Sequence, residues 1–222
     1  MNFKVGNFLF KCVCAGILVA TASITTAFAS KYSKDLIVKH NAHISRLHQD
    51  CYHRMVGSSE NGTVGCLSNP NDPHEEARLA TAWSVHPDHL DVVNHWRQKH
   101  EIFVKPAYVT FPASLLPVSM IKYNYVLYNR TINEVAKVKL KEILEMELFI
   151  EGIDVYQGFV LLSDSTDWKI NPKDTKIKEW HAGQRIIVGV NNKWCEAEYP
   201  HILINLDQPY QPYVEADFYP RN

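Results

Sequence analysis

The chain has 222 residues, with 23 Lys and Arg against 24 Asp and Glu, and a formal net charge of −1 at pH 7. Without an excess of basic residues there is no electrostatic footprint for nucleic acid, so we expect no nucleic-acid partner. The length suffices for one large domain or two small ones.

Residues 1–29 have the pattern of a cleavable signal peptide. Lys4 and Lys11 flank the start of an apolar, acid-free run that ends in Ala27-Phe28-Ala29, with small residues at the two positions a signal peptidase reads. Hydroxyl residues interrupt the run, which is short for a membrane anchor. We expect cleavage after Ala29, a secreted or periplasmic product, and no membrane-spanning segment in the mature chain.

The region from residue 30 to 105 carries the periodicity of helices. A first helix is predicted to begin at Ser33 and a second to run over 75–83, with a third after Pro87. The face of the first helix is formed by Leu36, His40, His43, Ile44, Leu47 and Cys51. We therefore predict a helical, histidine-rich region over 30–105.

Two histidines of the first predicted helix are candidate metal ligands. His40 and His43 are spaced i, i+3 on one face, and His48 at the edge of that face could complete a zinc or copper site. No CxxC or HExxH motif accompanies them. We favour hydrogen-bonded, semi-buried histidines and expect no cofactor, with zinc or copper binding as the alternative.

Three cysteines remain after signal cleavage, at positions 51, 66 and 195. An oxidising compartment favours a disulfide, and Cys51 and Cys66 enclose a short polar loop. We predict a Cys51–Cys66 disulfide and a free, buried Cys195.

The region from residue 106 to 222 has the alternation of strands. Pro106, Pro112 and Pro117 rule out a continuing helix, and apolar and polar residues then alternate through several short segments. Strands are predicted in MIKYNYVLYN, VAKVKLK, LEMELFIEG, GFVLL, KEW, QRIIVGV, WCEAEY, HILINL and YVEADFY. Over 134–151 a helix is the competing interpretation, because Lys, Glu, Leu and Met favour helices.

Seven or more short strands indicate an immunoglobulin-like antiparallel β-sandwich over 106–222. The predicted fold class is therefore α+β, with a helical N-terminal region before the sandwich.

Catalytic motifs are missing from the sequence. There is no GxSxG elbow and no glycine-rich phosphate loop. Asp164 and Asp167 could pair for glycoside chemistry, but Asp, Ser and Thr between strands are explained more simply by a turn. We therefore expect a protein that is not an enzyme, while leaving a secreted hydrolase open.

Aromatic residues indicate where a partner would bind. The C-terminal segment is rich in Tyr and Pro, and Tyr210, Tyr213 and Tyr219 are predicted partner-binding residues. Trp168, Trp180 and Trp194 are expected to fill a core. The sequence thus predicts an exported, non-enzymatic binding or assembly protein with a protein or glycan partner.

Overall fold

The computed structural model describes residues 47–68, 80–107, 122–145, 148–194, 197–209 and 211–220. These residues contain twelve β-strands and only short helical segments. The strands are β1 (His53–Ser59), β2 (Thr63–Ser68), β3 (Ala80–Val85), β4 (Glu101–Pro106), β5 (Tyr125–Asn129), β6 (Glu134–Glu145), β7 (Ile150–Asp154), β8 (Phe159–Leu162), β9 (Asp167–Ile170), β10 (Ile186–Val190), β11 (His201–Asn205) and β12 (Tyr213–Tyr219). The helical segments are α1 (Leu90–Val93) and the 3₁₀ turns Gln49–Cys51, Pro87–His89 and Thr175–Glu179.

The first six strands form a closed antiparallel barrel in the order β1-β2-β3-β6-β5-β4. The barrel closes because β4 returns beside β1, with His53 opposite Ile102 and Arg54 opposite Glu101. Three consecutive strands followed by a fourth that lies beside the first make a Greek key.

The last six strands form a second antiparallel sheet in the order β7-β8-β9-β12-β11-β10, which repeats the strand order of the barrel. Its two edges meet through an isolated bridge between Phe149 and Arg185. Ile186 N donates to Leu148 O at 2.9 Å, and Ile150 N donates to Gln184 O at 2.9 Å. The second sheet is therefore also rolled, with a much shorter closing contact than the barrel.

The barrel and the second sheet share one hydrophobic core. Barrel residues such as Trp83, Val104 and Leu127 belong to the same buried cluster as Ile187 and Ile202 of the second sheet. All five residues of β10 and all five of β11 are buried, which suits strands covered on both faces.

Gly189 permits the closest approach between the two sheets. A Cβ atom at this position would lie 2.4 Å from the Val104 carbonyl oxygen, which is backbone and cannot swing aside. Only glycine allows β10 to lie this close to β4.

The predicted α+β class is wrong, because the described part of the region 30–105 is built mainly from strands. Residues Gln49–Cys51 form a 3₁₀ turn, β1 and β2 follow, and the last part of the second predicted helix is β3. β3 is buried on both faces between β2 and β6, so it lacks the alternation by which strands are recognised. The third predicted helix is reduced to a 3₁₀ turn and α1, which ends at Val93.

The immunoglobulin-like sandwich over 106–222 is also wrong. β5 and β6 pair with β4 and β3, so they complete the barrel instead of packing with β7–β12 in a separate sandwich. Sequence periodicity identifies which segments are strands but not which strands pair. The predicted boundary between residues 105 and 106 falls within β4.

Most individual strands of the C-terminal half are confirmed, including β5, β8, β10, β11 and β12. Over 134–151 the strand interpretation is confirmed, since β6 ends at Glu145 and β7 begins at Ile150. The segment KEW is wrong, because it overlaps the 3₁₀ turn Thr175–Glu179. WCEAEY lies partly outside the described residues, and β9 was not predicted.

Among the described residues, no helix is long and apolar enough to cross a membrane. The predicted signal peptide lies outside the described residues.

Candidate functional site

Ionisable side chains, most of them buried or half-buried, lie where the barrel meets the second sheet, in a cluster that we call the seam. It comprises His48 and Asp50 at the first 3₁₀ turn, His53 at the start of β1, Asp164 between β8 and β9, and His201 at the start of β11. His48 N donates to His201 Nε2 at 3.0 Å, and His53 Nε2 lies 2.9 Å from Val188 O. The seam therefore joins the two sheets through polar contacts.

His201 is fully buried and neutral. Its Nε2 accepts the hydrogen bond from His48, so the ring proton of the neutral form resides on Nδ1. Burial, together with the nearby His48, lowers the pKa of His201 to about 3. Its Nδ1 has no hydrogen-bond partner and lies 4.0 Å from Asp217 Oδ1.

His53 has the opposite tautomer. Its Nε2 faces the Val188 carbonyl and must donate, which leaves Nδ1 as a buried lone pair without a partner. Burial lowers the pKa of His53, although the bond to Val188 opposes the shift. The seam thus contains two histidines that remain neutral in the folded state at neutral pH.

The carboxyl groups of Asp50 and Asp164 are close enough for each to shift the pKa of the other. Partial burial and the neighbouring Asp50 carboxyl group raise the pKa of Asp164 to about 6. Burial opposes ionisation of Asp50, but the contacts with His48 and Asp164 outweigh it and lower the pKa of Asp50. The pKa values of the two carboxyl groups are therefore shifted in opposite directions.

Trp168 packs the seam from the second sheet. Its ring centroid lies 5.3 Å from that of His48 and 5.1 Å from that of His201. Trp168 Nε1 donates to Thr166 Oγ1 at 2.7 Å, and Thr166 Oγ1 donates to Asp164 Oδ1 at 2.6 Å. Because the three most buried members, Asp50, His53 and His201, lie in the protein interior, the seam suits a structural joint better than a reaction centre.

A groove lies beside the turn between β7 and β8, and we call it the Tyr156 groove. Its volume is about 390 Å³, within the range of small-ligand sites. The lining residues are Val155, Tyr156, Gln157, Gly158, Lys169, Ile170, Asn171, Pro172, Asp174, Thr175, Ile177, Lys178 and Tyr199. An adjoining groove of about 310 Å³ shares Asn171, Pro172 and Tyr199 and adds Lys173, Ala197, Glu198 and Glu215.

Tyr156 is fully exposed, yet the turn that carries it is held in place. Asp154 Oδ1 accepts hydrogen bonds from Tyr156 N at 3.0 Å and Gln157 N at 2.9 Å. Gly158 N donates to Asp154 O at 2.8 Å, and Gly158 has φ +73°, which favours glycine. The aromatic ring is therefore presented to solvent by an ordered turn.

The polar side of the groove is a hydrogen-bonded network. Asn171 Nδ2 donates to Glu215 Oε2 at 2.8 Å, and Glu215 N donates to Asp174 Oδ2 at 2.6 Å. Asn171 Oδ1 accepts from Lys173 N at 3.1 Å. These bonds fix the orientation of the amide and carboxyl groups along the groove.

The predicted metal ligands are only partly described. His40 and His43 lie outside the described residues. The Nδ1 atom of His48 accepts from Asp50 N at 3.3 Å and lies 3.2 Å from Asp50 Oδ2. Across the ranges that the structure describes, no group of three or more His, Cys, Asp or Glu is placed to hold a metal ion. Metal binding by His40, His43 and His48 stays a prediction.

The predicted disulfide is not formed in this structure, since Cys51 and Cys66 are both free and buried. Met55 lies opposite Cys66, and His53 lies opposite Ser68 at the end of the β1–β2 ladder. Cys51 therefore lies beyond that ladder and not opposite Cys66. Burial raises the pKa of both thiols, that of Cys66 to about 12. Cys195 lies outside the described residues.

The predicted partner-binding tyrosines are in different environments. Tyr210 lies outside the described residues. Tyr213 is partly buried against the core, with Lys176 Nζ 5.0 Å from its ring centroid. Tyr219 is half exposed, and its ring centroid lies 5.2 Å from that of Phe159. No contact described here tests their role, which stays a prediction. Trp168, Trp180 and Trp194 are buried, as expected for core residues.

Sequence reasoning missed His53, His201 and Tyr156. His53 and His201 are far apart in the chain, and only the pairing of the two sheets brings them together. Tyr156 carried a weak signal, because it lies between Asp154 and Gly158, two turn-forming residues.

No protein-family model, no curated protein and no solved structure matches the chain.

Proposed function

We propose that the protein is an exported, non-enzymatic binding protein that engages its partner through the Tyr156 groove. The observation that carries this proposal is a fully exposed tyrosine on an ordered turn beside a groove. Tyrosine offers a large contact area at a small entropic cost and is enriched in binding hot spots.

The ordered turn distinguishes Tyr156 from an ordinary exposed side chain and supports a role in binding. A single exposed apolar residue is ordinary, but Val155 beside Tyr156 is also exposed, and both line the groove. Asp154 fixes the backbone before any partner arrives, so little conformational entropy is lost on association. The groove thus has the pre-organisation expected of a recognition site.

Two alternative functions have weaker support. A zinc or copper protein would use His48, whose Nδ1 already faces Asp50. A hydrolase would use the Asp50–Asp164 pair, but Asp50 is buried in the seam. Binding through the Tyr156 groove therefore has the strongest support of the three functions.

A photo-crosslinking amino acid at position 156 tests the proposal in material from the native source. The matched control places it at Val135, which is half exposed on β6 of the barrel. We expect a discrete adduct from position 156 and none from position 135, identified by mass spectrometry. Equal adducts from both positions, or none from position 156, would contradict the proposal.

A further inference from the structure

We propose that the Tyr156 groove binds an uncharged oligosaccharide. This inference rests on the proposed function and adds the chemical class of the ligand. It is drawn from the aromatic platform, the polar network, the charge balance and the pairing of the strands around the groove.

The ring of Tyr156 is a platform for one face of a sugar ring. The C–H groups on that face carry partial positive charge, and an aromatic face is negative, so the two attract. The ring is fully exposed and its backbone is fixed by Asp154. A sugar can therefore stack on it without displacing any protein group.

Polar residues that line the Tyr156 groove and the adjoining groove offer partners for hydroxyl groups. Asn171, Asp174 and Glu215 are held by mutual hydrogen bonds and still have acceptor sites left, because each carboxylate oxygen can accept more than one bond. Lys169 and Lys178 add exposed donors. A hydroxyl both donates and accepts, so a mixed set of fixed donors and acceptors suits a carbohydrate.

The charges along the groove are balanced. The two adjoining grooves are lined by Lys169, Lys173 and Lys178 and by the carboxyl groups of Asp174, Glu198 and Glu215. Equal numbers of cations and carboxyl groups create no strong field for a polyanion. An uncharged polar ligand is therefore favoured over nucleic acid or a sulfated glycan.

The strands beside the groove are not free to bind a peptide by strand addition. β8 pairs with β7 and β9, and β9 pairs with β8 and β12. Recognition of an extended peptide by adding a strand requires an unpaired edge. Side chains must therefore recognise the ligand, as they do in stacking on a sugar.

Calorimetric titration of the full mature chain tests the inference. The probes are uncharged hexasaccharides of β-1,4-linked glucose, β-1,4-linked N-acetylglucosamine, α-1,4-linked glucose and α-linked mannose, with a heparin hexasaccharide as the charged control. We expect at least one uncharged probe to bind and heparin not to bind. Tyr156→Ala should weaken binding by roughly tenfold or more, and Tyr156→Trp should retain it.

Two further variants test whether the presentation of the Tyr156 ring, and not the loss of any exposed aromatic side chain, determines sugar binding. Asp154→Ala should also weaken binding, because the turn loses two hydrogen bonds that present the ring. Phe149→Ala is the matched control, since Phe149 is an exposed aromatic residue of the second sheet outside the groove lining, and it should leave affinity unchanged. Melting curves check that each variant folds.

The outcomes distinguish the ligand class from the proposed function. If no uncharged probe binds while position 156 crosslinks to a protein, the carbohydrate inference is overturned and the binding function stands. If heparin alone binds, the inference of an uncharged ligand is overturned. If a sugar binds equally to the wild type and to Tyr156→Ala, the assignment of the ligand to this groove is overturned.

Discussion

The barrel and the second sheet have the same strand order, but they are closed by different contacts. The barrel closes through backbone pairing of β1 with β4, and Ile102 at that join is buried. The second sheet closes at the Phe149–Arg185 bridge, where Arg185 is bound to Asp207 at the surface. The same topology is thus completed by a buried ladder in one sheet and by a short bridge in the other.

The two sheets also carry different features of the molecule. The strands of the barrel line the shared core, and the 3₁₀ turn Gln49–Cys51 that precedes β1 contributes to the seam. The second sheet carries the exposed turn at Tyr156 and its groove. Repeating a strand order therefore does not repeat a site, because turns and closing contacts vary independently of the strands.

Among the substitutions considered, one at the close contact between β10 and β4 should reduce the free energy of unfolding most. In Gly189→Ala, the new Cβ would meet the Val104 carbonyl at 2.4 Å. We expect a loss of about 3 kcal/mol in the free energy of unfolding, because overpacking against backbone cannot be relieved by a side-chain rotation. Urea denaturation measures this loss.

Gly57→Ala is the matched control on β1. Nothing lies within 4 Å of a Cβ at that position, so the change should stay within about 0.5 kcal/mol. Similar losses in both variants would show that the close approach at Gly189 is not the cause.

The seam should make the stability of the protein depend on pH. The pKa of His201 is about 3 in the folded state against an ordinary value of 6.5. Between these values the unfolded chain binds a proton that the folded chain does not. Stability should therefore fall as pH falls below 6.5, with His201 contributing about 1.4 kcal/mol per pH unit. Urea denaturation from pH 8 to pH 4 should show a shallower slope for His201→Gln.

Asp164, which also belongs to the seam, should contribute a pH dependence of stability opposite in sign to that of His201. Its raised pKa gives a contribution that is fully present below its ordinary value of 3.8 and is lost as pH rises through about 6. Asp164→Asn should remove that loss and leave the His201 contribution in place. Identical pH profiles for the wild type and both variants would contradict the assignment of these groups.

The closing contact of the second sheet should be the least costly to break. Arg185 Nε donates to Asp207 Oδ1 at 2.7 Å, and Arg185 N donates to Asp207 Oδ2 at 2.7 Å. The hydrogen bonds from Arg185 hold the pKa of Asp207 below its usual value. Asp207→Ala should cost at most about 1 kcal/mol, because the pair lies near solvent.

Hydrogen exchange would locate that effect. The amides of Ile150 and Ile186, which bond across the closure, should exchange faster in Asp207→Ala. The amides of the β1–β4 ladder should not change. Faster exchange at both closures would mean that the two sheets open together.

The sequence predicts most strands of the C-terminal half, including the fully buried β10 and β11, but not β3. β5 alternates between inward and outward residues, and β12 does so over much of its length, and both were predicted. β3 is buried on both faces, so the spacing of its apolar residues was read as a helix. Strand pairing could not be predicted from the sequence, because partners such as β3 and β6 are far apart in the chain.

Contacts between distant residues also determine the candidate site, so the sequence predicts its residues even less well than the strands. The spacing of His48 to His40 and His43 predicts a metal ligand, but in the structure its backbone N–H donates to His201 at a separation of 153 residues. No local pattern encodes such a contact. Asp164 lies in a turn, as predicted, and bonds to Thr166, whereas its effect on the pKa of Asp50 could not be predicted.

The strand order of the second sheet has a consequence for synthesis of the chain. β9 lies next to β12, although β10 and β11 come between them in the sequence. A growing chain can pair β7, β8 and β9 early, but one side of β9 must wait for β12. The shared core also waits, because Ile187, Ile202 and Ile204 complete the cluster that begins in the barrel. Translation of the N-terminal half alone would therefore leave apolar surface uncovered, which favours a chaperone-bound intermediate until the later strands emerge.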